Sequence, residues 1–238
     1  MYILAIDTAT NSGGAALSQD SEVIGLVVIK TPLRYSEKIL YIIDFLLHQH
    51  DLDLAEMDCF AVATGPGSFT GLRIGLATVK AFCQGLNKPV IPLSTRESLA
   101  YRFRSLSPRV APMIDARRGQ IFGAVYQIEN SHIEIEGKEQ VMSPTQWLKG
   151  VPADDCIFVG DGARLYKKTI VAAHPEARVL ETDNRLLEEL CQLAYVRFTQ
   201  GKMLSAKQLA ANYVRPSDAE LKRRSRFQVP GSRFTNVE

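Results

Sequence analysis

One pattern occurs twice in this chain, and it narrows the possible folds more than any other feature. An apolar run at 2–7 closes on Ile6-Asp7, and another at 110–115 closes on Ile114-Asp115. Further on in each half, a second apolar run stops at a Gly-x-Gly turn, Gly65-Pro66-Gly67 in one and Gly160-Asp161-Gly162 in the other. Period-2 apolar runs and turn residues predict strands at 2–7, 13–18, 22–30 and 59–64, with helices at 36–50 and 70–86. A strand at 89–93 and a helix at 95–104 complete the first half. The second half restarts with strands at 110–115, 121–128, 133–141 and 156–159 and a short helix at 145–149. A long helix at 183–200 is stopped by Gly201. Self-similarity of this kind is the mark of a duplicated unit.

A duplicated β-β-β-α-β-α unit predicts an α/β, two-lobed actin-like fold (ASKHA, RNase H-like), the plan of sugar kinases and Hsp70. The expected division is a first lobe at 1–104, a second lobe at 105–204, part of 205–222 packed back on the first lobe, and a flexible basic tail at 223–238. Proteins of this plan hold a nucleotide between their lobes, with carboxylates at strand ends near the phosphates. Asp7 and Asp115 stand at such strand ends, and each also fits a turn cap. The segment Gly65-Pro-Gly-Ser-Phe-Thr-Gly-Leu-Arg-Ile-Gly75 follows a strand and opens a helix, where backbone N–H groups can cradle phosphate. It is neither a Walker A loop, since Leu72-Arg73 follow Gly71, nor G-x-G-x-x-G. Asp7, Thr8, Gly65 and Gly67 are therefore candidate nucleotide or phosphate contacts. The competing reading is a tight turn with Ser68 or Thr70 capping the helix.

The two first-lobe helices carry more apolar surface than one covered side requires. On a wheel of ~100° per residue, Ile39, Leu40, Ile42, Ile43, Leu46 and Leu47 share one broad face, and Phe45 extends it. That arc covers roughly 200°, twice the ~100° of a one-sided helix. In the second helix Leu72, Leu76, Val79, Phe82, Cys83 and Leu86 form one face, beside a small-residue strip of Gly71, Gly75 and Thr78. A helix apolar on two sides needs cover on two sides, from its own chain or from another protein. The second option assigns Ile39, Ile42, Ile43, Leu46, Gly71, Leu72, Gly75, Leu76 and Val79 to a partner interface.

Composition and motifs remove several function classes. The 238 residues are 46% hydrophobic and 23% charged, enough for a self-sufficient core. No apolar run approaches the ~18 residues of a membrane helix, and Asp7 interrupts the only stretch that could begin a secretory signal. Four cysteines lie far apart without a CxxC pair and read as reduced, buried residues of a cytoplasmic protein. The histidines, His48, His50, His132 and His174, include no HxxxH pair, and no GxSxG elbow occurs. No catalytic residue and no metal ligand is assigned. Arg117-Arg118 reads as an anion contact or as a solvated loop. Before position 215 there are 22 basic and 23 acidic residues, whereas 215–238 carry six basic groups against three acids. A neutral body does not resemble a dedicated nucleic-acid binder.

LAIDTAT at 4–10, GPGSFTGLRIG at 65–75 continuing as LATVKAF, IPLST at 91–95, IDAR at 114–117 and GDGA at 160–163 occur in this order in the bacterial TsaB (YeaZ) family. The chain resembles that family over nearly its whole length, to about Arg215. The resemblance implies a non-catalytic scaffold or activator subunit in the complex that installs N6-threonylcarbamoyl on the tRNA adenosine beside the anticodon. It implies heterodimerisation with the catalytic paralogue TsaD through first-lobe helices, recruitment of the ATPase TsaE, and TsaC as supplier of threonylcarbamoyl-adenylate. Alone, such a chain forms a homodimer through the same surface. No cofactor is expected on this chain by itself, ATP and Mg being used by the complex, and tRNA is reached through the complex. Many relatives read His-Ser-Glu where this chain has Tyr35-Ser36-Glu37. The tail Lys222-Arg-Arg-Ser-Arg226 lies beyond the shared motifs and fits either a tRNA-backbone contact or a solvated end. Two other functions compete: a stand-alone ATP-dependent phosphotransferase, argued from the fold alone, and a metallopeptidase, for which ligands are lacking.

Overall fold

The computed structural model describes residues 1–30, 35–129, 132–152 and 156–212. The basic tail therefore lies outside the described residues. The first half runs β1 (Tyr2–Asp7), β2 (Ser12–Gln19), β3 (Glu22–Lys30), α1 (Tyr35–Gln49), β4 (Cys59–Gly65), α2 (Phe69–Leu86), β5 (Val90–Ser94) and α3 (Thr95–Arg102). The second runs β6 (Arg109–Asp115), β7 (Ile121–Glu129), β8 (His132–Met142), α4 (Pro144–Leu148), β9 (Cys156–Val159), α5 (Asp161–Leu165), α6 (Lys167–Ala173), β10 (Arg178–Val179) and α7 (Leu187–Thr199).

The duplication is visible in the sheets. The first has the order β3-β2-β1-β4-β5 and the second β10-β9-β6-β7-β8, the same arrangement counted from the opposite edge. In each, the first strand pairs antiparallel with the second and parallel with the fourth. Gly65 and Gly160 end the equivalent fourth strands, with φ of 110° and 102°. Only glycine adopts such values without strain, so the repeated Gly-x-Gly marks the same backbone turn twice. This is the two-lobed actin-like plan.

Strand alternation sorts the core into layers. Leu4, Ile6, Phe60 and Val62 point to one face of the first sheet, where α1 and α2 cover them. Ile3, Ala5, Cys59 and Ala61 point to the other, where Leu187, Leu190 and Ala194 of α7 cover them. The second sheet is covered by α4, α5 and α6 on one face and by Leu99 and Ala100 of α3, with Phe103 just after it, on the other. Thus α3 and α7 form a shared central layer. The assignment of 105–204 to a second lobe is corrected here, because α7 packs on the first sheet. After α7, Leu204 bridges Val90, and Ala206 and Leu209 enter the first core.

Ion pairs fasten the central layer. Arg102 of α3 grips Glu189 of α7 with two bonds, at 2.7 and 3.0 Å. Arg197 of α7 pairs with Glu97 of α3. Arg96, fully buried at the start of α3, places Nη2 2.6 Å from Glu139 of β8, whose other oxygen accepts from Asn212 at 2.8 Å.

Candidate functional site

The turn that follows β1 joins the heads of both first-lobe helices. Asp7 is fully buried. Its Oδ1 accepts from the Ala9 N–H at 2.7 Å and its Oδ2 from the Thr10 hydroxyl at 2.9 Å. Burial pushes its carboxyl up to about 6, against the pull of those bonds. The Thr8 hydroxyl donates to the Gly71 carbonyl at 2.7 Å, and the Ser68 N–H donates to the Ala9 carbonyl at 2.8 Å, tying the turn to α2. Tyr35, the first residue of α1, accepts from the Gly13 N–H at 2.7 Å and donates to the Thr10 carbonyl at 2.9 Å.

These contacts explain the glycine-rich segment. A Cβ at position 71 would sit 1.9 Å from the Thr8 carbonyl oxygen, and one at position 67 would sit 2.4 Å from that of Ala9. The glycines let two stretches of backbone touch. Asp7, Thr8, Gly65 and Gly67 are therefore corrected as nucleotide or phosphate contacts: the chain itself uses the carboxylate, the hydroxyl and the open space. These four residues do not fit a phosphate or its metal. Of the two sequence readings, the tight turn holds, with Ser68 accepting from the Gly71 N–H at 3.2 Å as helix cap.

The equivalent turn in the second lobe is also self-satisfied. The Asp115 N–H donates to Asp161 Oδ1 at 2.9 Å, Asp161 Oδ2 accepts from Asn184 at 3.0 Å, and Asp115 Oδ1 accepts from the Arg117 N–H at 2.9 Å. Among the described residues, no group of three or more His, Cys, Asp or Glu side chains is placed to hold a metal ion. All four cysteines are free and buried, and burial pushes the thiols of Cys59, Cys156 and Cys191 up to about 12 and that of Cys83 to about 11. Thiols so far from ionisation are inert.

The nine residues assigned to a partner interface are inside the molecule. Ile39, Ile42, Ile43 and Leu46 of α1 and Leu76 and Val79 of α2 lie in the core against the first sheet. Leu72 lies in the core on the opposite face, and Gly71 and Gly75 are buried against Thr8. The correction has a simple physical cause. A wheel measures the width of an apolar arc without saying which part of it the sheet takes, and the sheet takes the centre. What remains outside on α1 is Leu40, Tyr41 and Phe45, at 55%, 77% and 54% exposure. Tyr41 and Phe45 stand one turn apart on the outer ridge. On α2 the exposed residues include Arg73, Ala77, Ala81 and Gln84. Tyr41 escaped the sequence reading because it sits among polar Asp44 and His48. The excess arc was the signal for it, since its fringe, once the centre is buried, has to face outward.

Comparison with known proteins places this architecture. The family model described as TsaD: tRNA N6-adenosine threonylcarbamoyltransferase matches residues 19–234. The tRNA threonylcarbamoyladenosine biosynthesis protein TsaB of Bacillus subtilis (strain 168) is 32% identical over 172 residues, covering 71% of this chain and 75% of that protein. The chain belongs to the TsaB (YeaZ) family. The protein of the same description from Escherichia coli (strain K12) is 29% identical over 228 residues, covering 90% of this chain and 95% of its own length. The solved structure of YeaZ from Pseudomonas aeruginosa superposes with a TM-score of 0.79 at 27% identity, over 89% of this chain and 99% of that one. Among the described residues, no helix is long and apolar enough to cross a membrane.

Proposed function

We propose that this chain is the non-catalytic docking subunit of the cytoplasmic machinery that places N6-threonylcarbamoyl on the tRNA adenosine beside the anticodon. Its partner is the catalytic subunit TsaD, with the ATPase TsaE joining the assembly. The B. subtilis and E. coli relatives, named for tRNA threonylcarbamoyladenosine biosynthesis, support the pathway. The docking role is carried by one observation: Tyr41 and Phe45 stand exposed on the outer ridge of α1 beside exposed Leu40, while the helix's other apolar residues are buried. Large aromatics of this kind are the usual anchors of an interface. A second copy of the chain offers the same surface, so the isolated protein pairs with itself. The subunit contributes no reacting group. It acts by favouring the productive arrangement of the catalytic partner, a shift of population. A phosphotransferase would need a phosphate cradle at the turn after β1, and the glycine-rich segment fills that space. The test is reconstitution with purified components, with and without this chain, measuring threonylcarbamoyl transfer to tRNA. Transfer should collapse on omission, and undiminished transfer would defeat the proposal.

A further inference from the structure

The docking account leaves Arg117 and Arg118 without a role, yet the chain holds both in the left-handed backbone region, at φ 63° and 55°, ahead of Gly119 at 73°. That region disfavours any residue with a Cβ and is usually occupied by Gly, Asn or Asp. Both side chains are exposed, that of Arg117 by 79%. The nearby Asp115 turns one oxygen to the Arg117 backbone and leaves the other 3.9 Å from the Arg117 Nε.

A second group of cations lies at the same end of the sheet. β6 and β9 are parallel neighbours, so the Arg117 loop and α5 leave the sheet together, and the bond from the Asp115 N–H to Asp161 fastens the two exits. Arg164 on α5 and Lys167 and Lys168 on α6 are exposed. The two lysines occupy the first turn of α6, which holds no acidic residue. The helix dipole disfavours cations there. Backbone preference opposes one group of cations and electrostatics the other, in a body whose 22 basic and 23 acidic residues before position 215 nearly cancel.

We infer that Arg117, Arg118, Arg164, Lys167 and Lys168 form a rim that grips the phosphodiester backbone of the tRNA and positions it on the assembled complex. The inference rests on the reading of the chain as a tRNA-modification subunit. Guanidinium forks match phosphate oxygens, and phosphate contacts fix register without reading sequence. Arg117 and Arg118 follow β6, and Arg164, Lys167 and Lys168 follow its parallel neighbour β9.

The test uses the complex of this chain with its catalytic subunit and a fluorescently labelled, unmodified tRNA transcript, read by anisotropy across a salt series. The first variant is Arg117→Gly/Arg118→Gly, which suits the left-handed turn and therefore keeps the fold. Its Kd for tRNA should rise about 10-fold, and the slope of log Kd against log salt should become shallower by about 1.4, ~0.7 for each lost contact. Lys167→Ala/Lys168→Ala should move both quantities the same way. Unchanged Kd and slope in both variants overturn the inference. Tripolyphosphate that competes as well as unlabelled tRNA, mole for mole, overturns it in favour of a small-anion site. Association with the catalytic subunit is read on the same samples by size exclusion. Intact association with lost tRNA affinity supports the rim. Undiminished transfer without the chain defeats the parent reading, whereas intact tRNA affinity in the variants defeats the rim alone.

Discussion

Asp7 stands where a phosphate-handling member of this fold would present a carboxylate, and its burial makes its structural role measurable. Its pKa rises from 3.8 to about 6 because desolvation penalises the charged form. An acid with a raised folded pKa takes up protons on folding between the two values, so its contribution to stability falls as pH rises. The penalty is absent below 3.8, grows through the interval, and is complete above about 6. At ~1.36 kcal/mol per pH unit the full penalty is about 3 kcal/mol. Asp7→Asn removes the charge and keeps the shape. The carboxamide oxygen still accepts from Ala9, and the Thr10 hydroxyl turns to accept from the carboxamide N–H. Subtracting about 1 kcal/mol for weaker neutral bonds, the variant should be more stable than the wild type by about 2 kcal/mol near neutral pH. The advantage should shrink toward about pH 4. Urea unfolding followed by circular dichroism at several pH values measures this. A variant less stable than the wild type at neutral pH, or a difference that does not change with pH, refutes the reasoning.

Two further perturbations test the scaffold. Gly71→Ala places a methyl 1.9 Å from the Thr8 carbonyl and should cost about 3 kcal/mol, whereas Gly85→Ala, in the same helix with nothing within 4 Å, should add about 1 kcal/mol. Melting temperatures moving in opposite directions distinguish close approach from glycine content. Glu139→Gln leaves the buried Arg96 charge uncompensated and should cost about 3 kcal/mol, with Arg96→Met/Glu139→Gln recovering most of it in the same melts.

The parts of this fold that are legible from sequence are those encoded locally. Strands such as YILAID and FAVATG declare themselves by unbroken apolar character, and the two Gly-x-Gly turns declare the repeat. Long-range contacts left no local trace. Gly67, ahead of α2, and Gly71, within it, answer to the backbone of Ala9 and Thr8, more than fifty residues earlier. The last helix begins at Leu187, not at 183, because Asp183 is engaged by Arg185 and Arg102 in the clasp between α3 and α7. Its packing on the first sheet followed from no local pattern. The short helices α5 and α6 and the two-residue β10 are too brief for periodicity to register. On α1, the excess apolar arc was readable, and its division between sheet and solvent was not.

Tyr41 and Phe45 carry the central claim, and titration calorimetry of the catalytic subunit into wild type and into Tyr41→Glu/Phe45→Glu tests it most directly. Both side chains are exposed, so the variant should melt within about 0.5 kcal/mol of the wild type. Loss of two aromatic anchors should cost about 3 kcal/mol of binding, more than roughly 100-fold in Kd. Ile42→Glu, in contrast, strikes the core and should unfold the protein. A folded double variant that binds the catalytic subunit as tightly as the wild type would contradict the account.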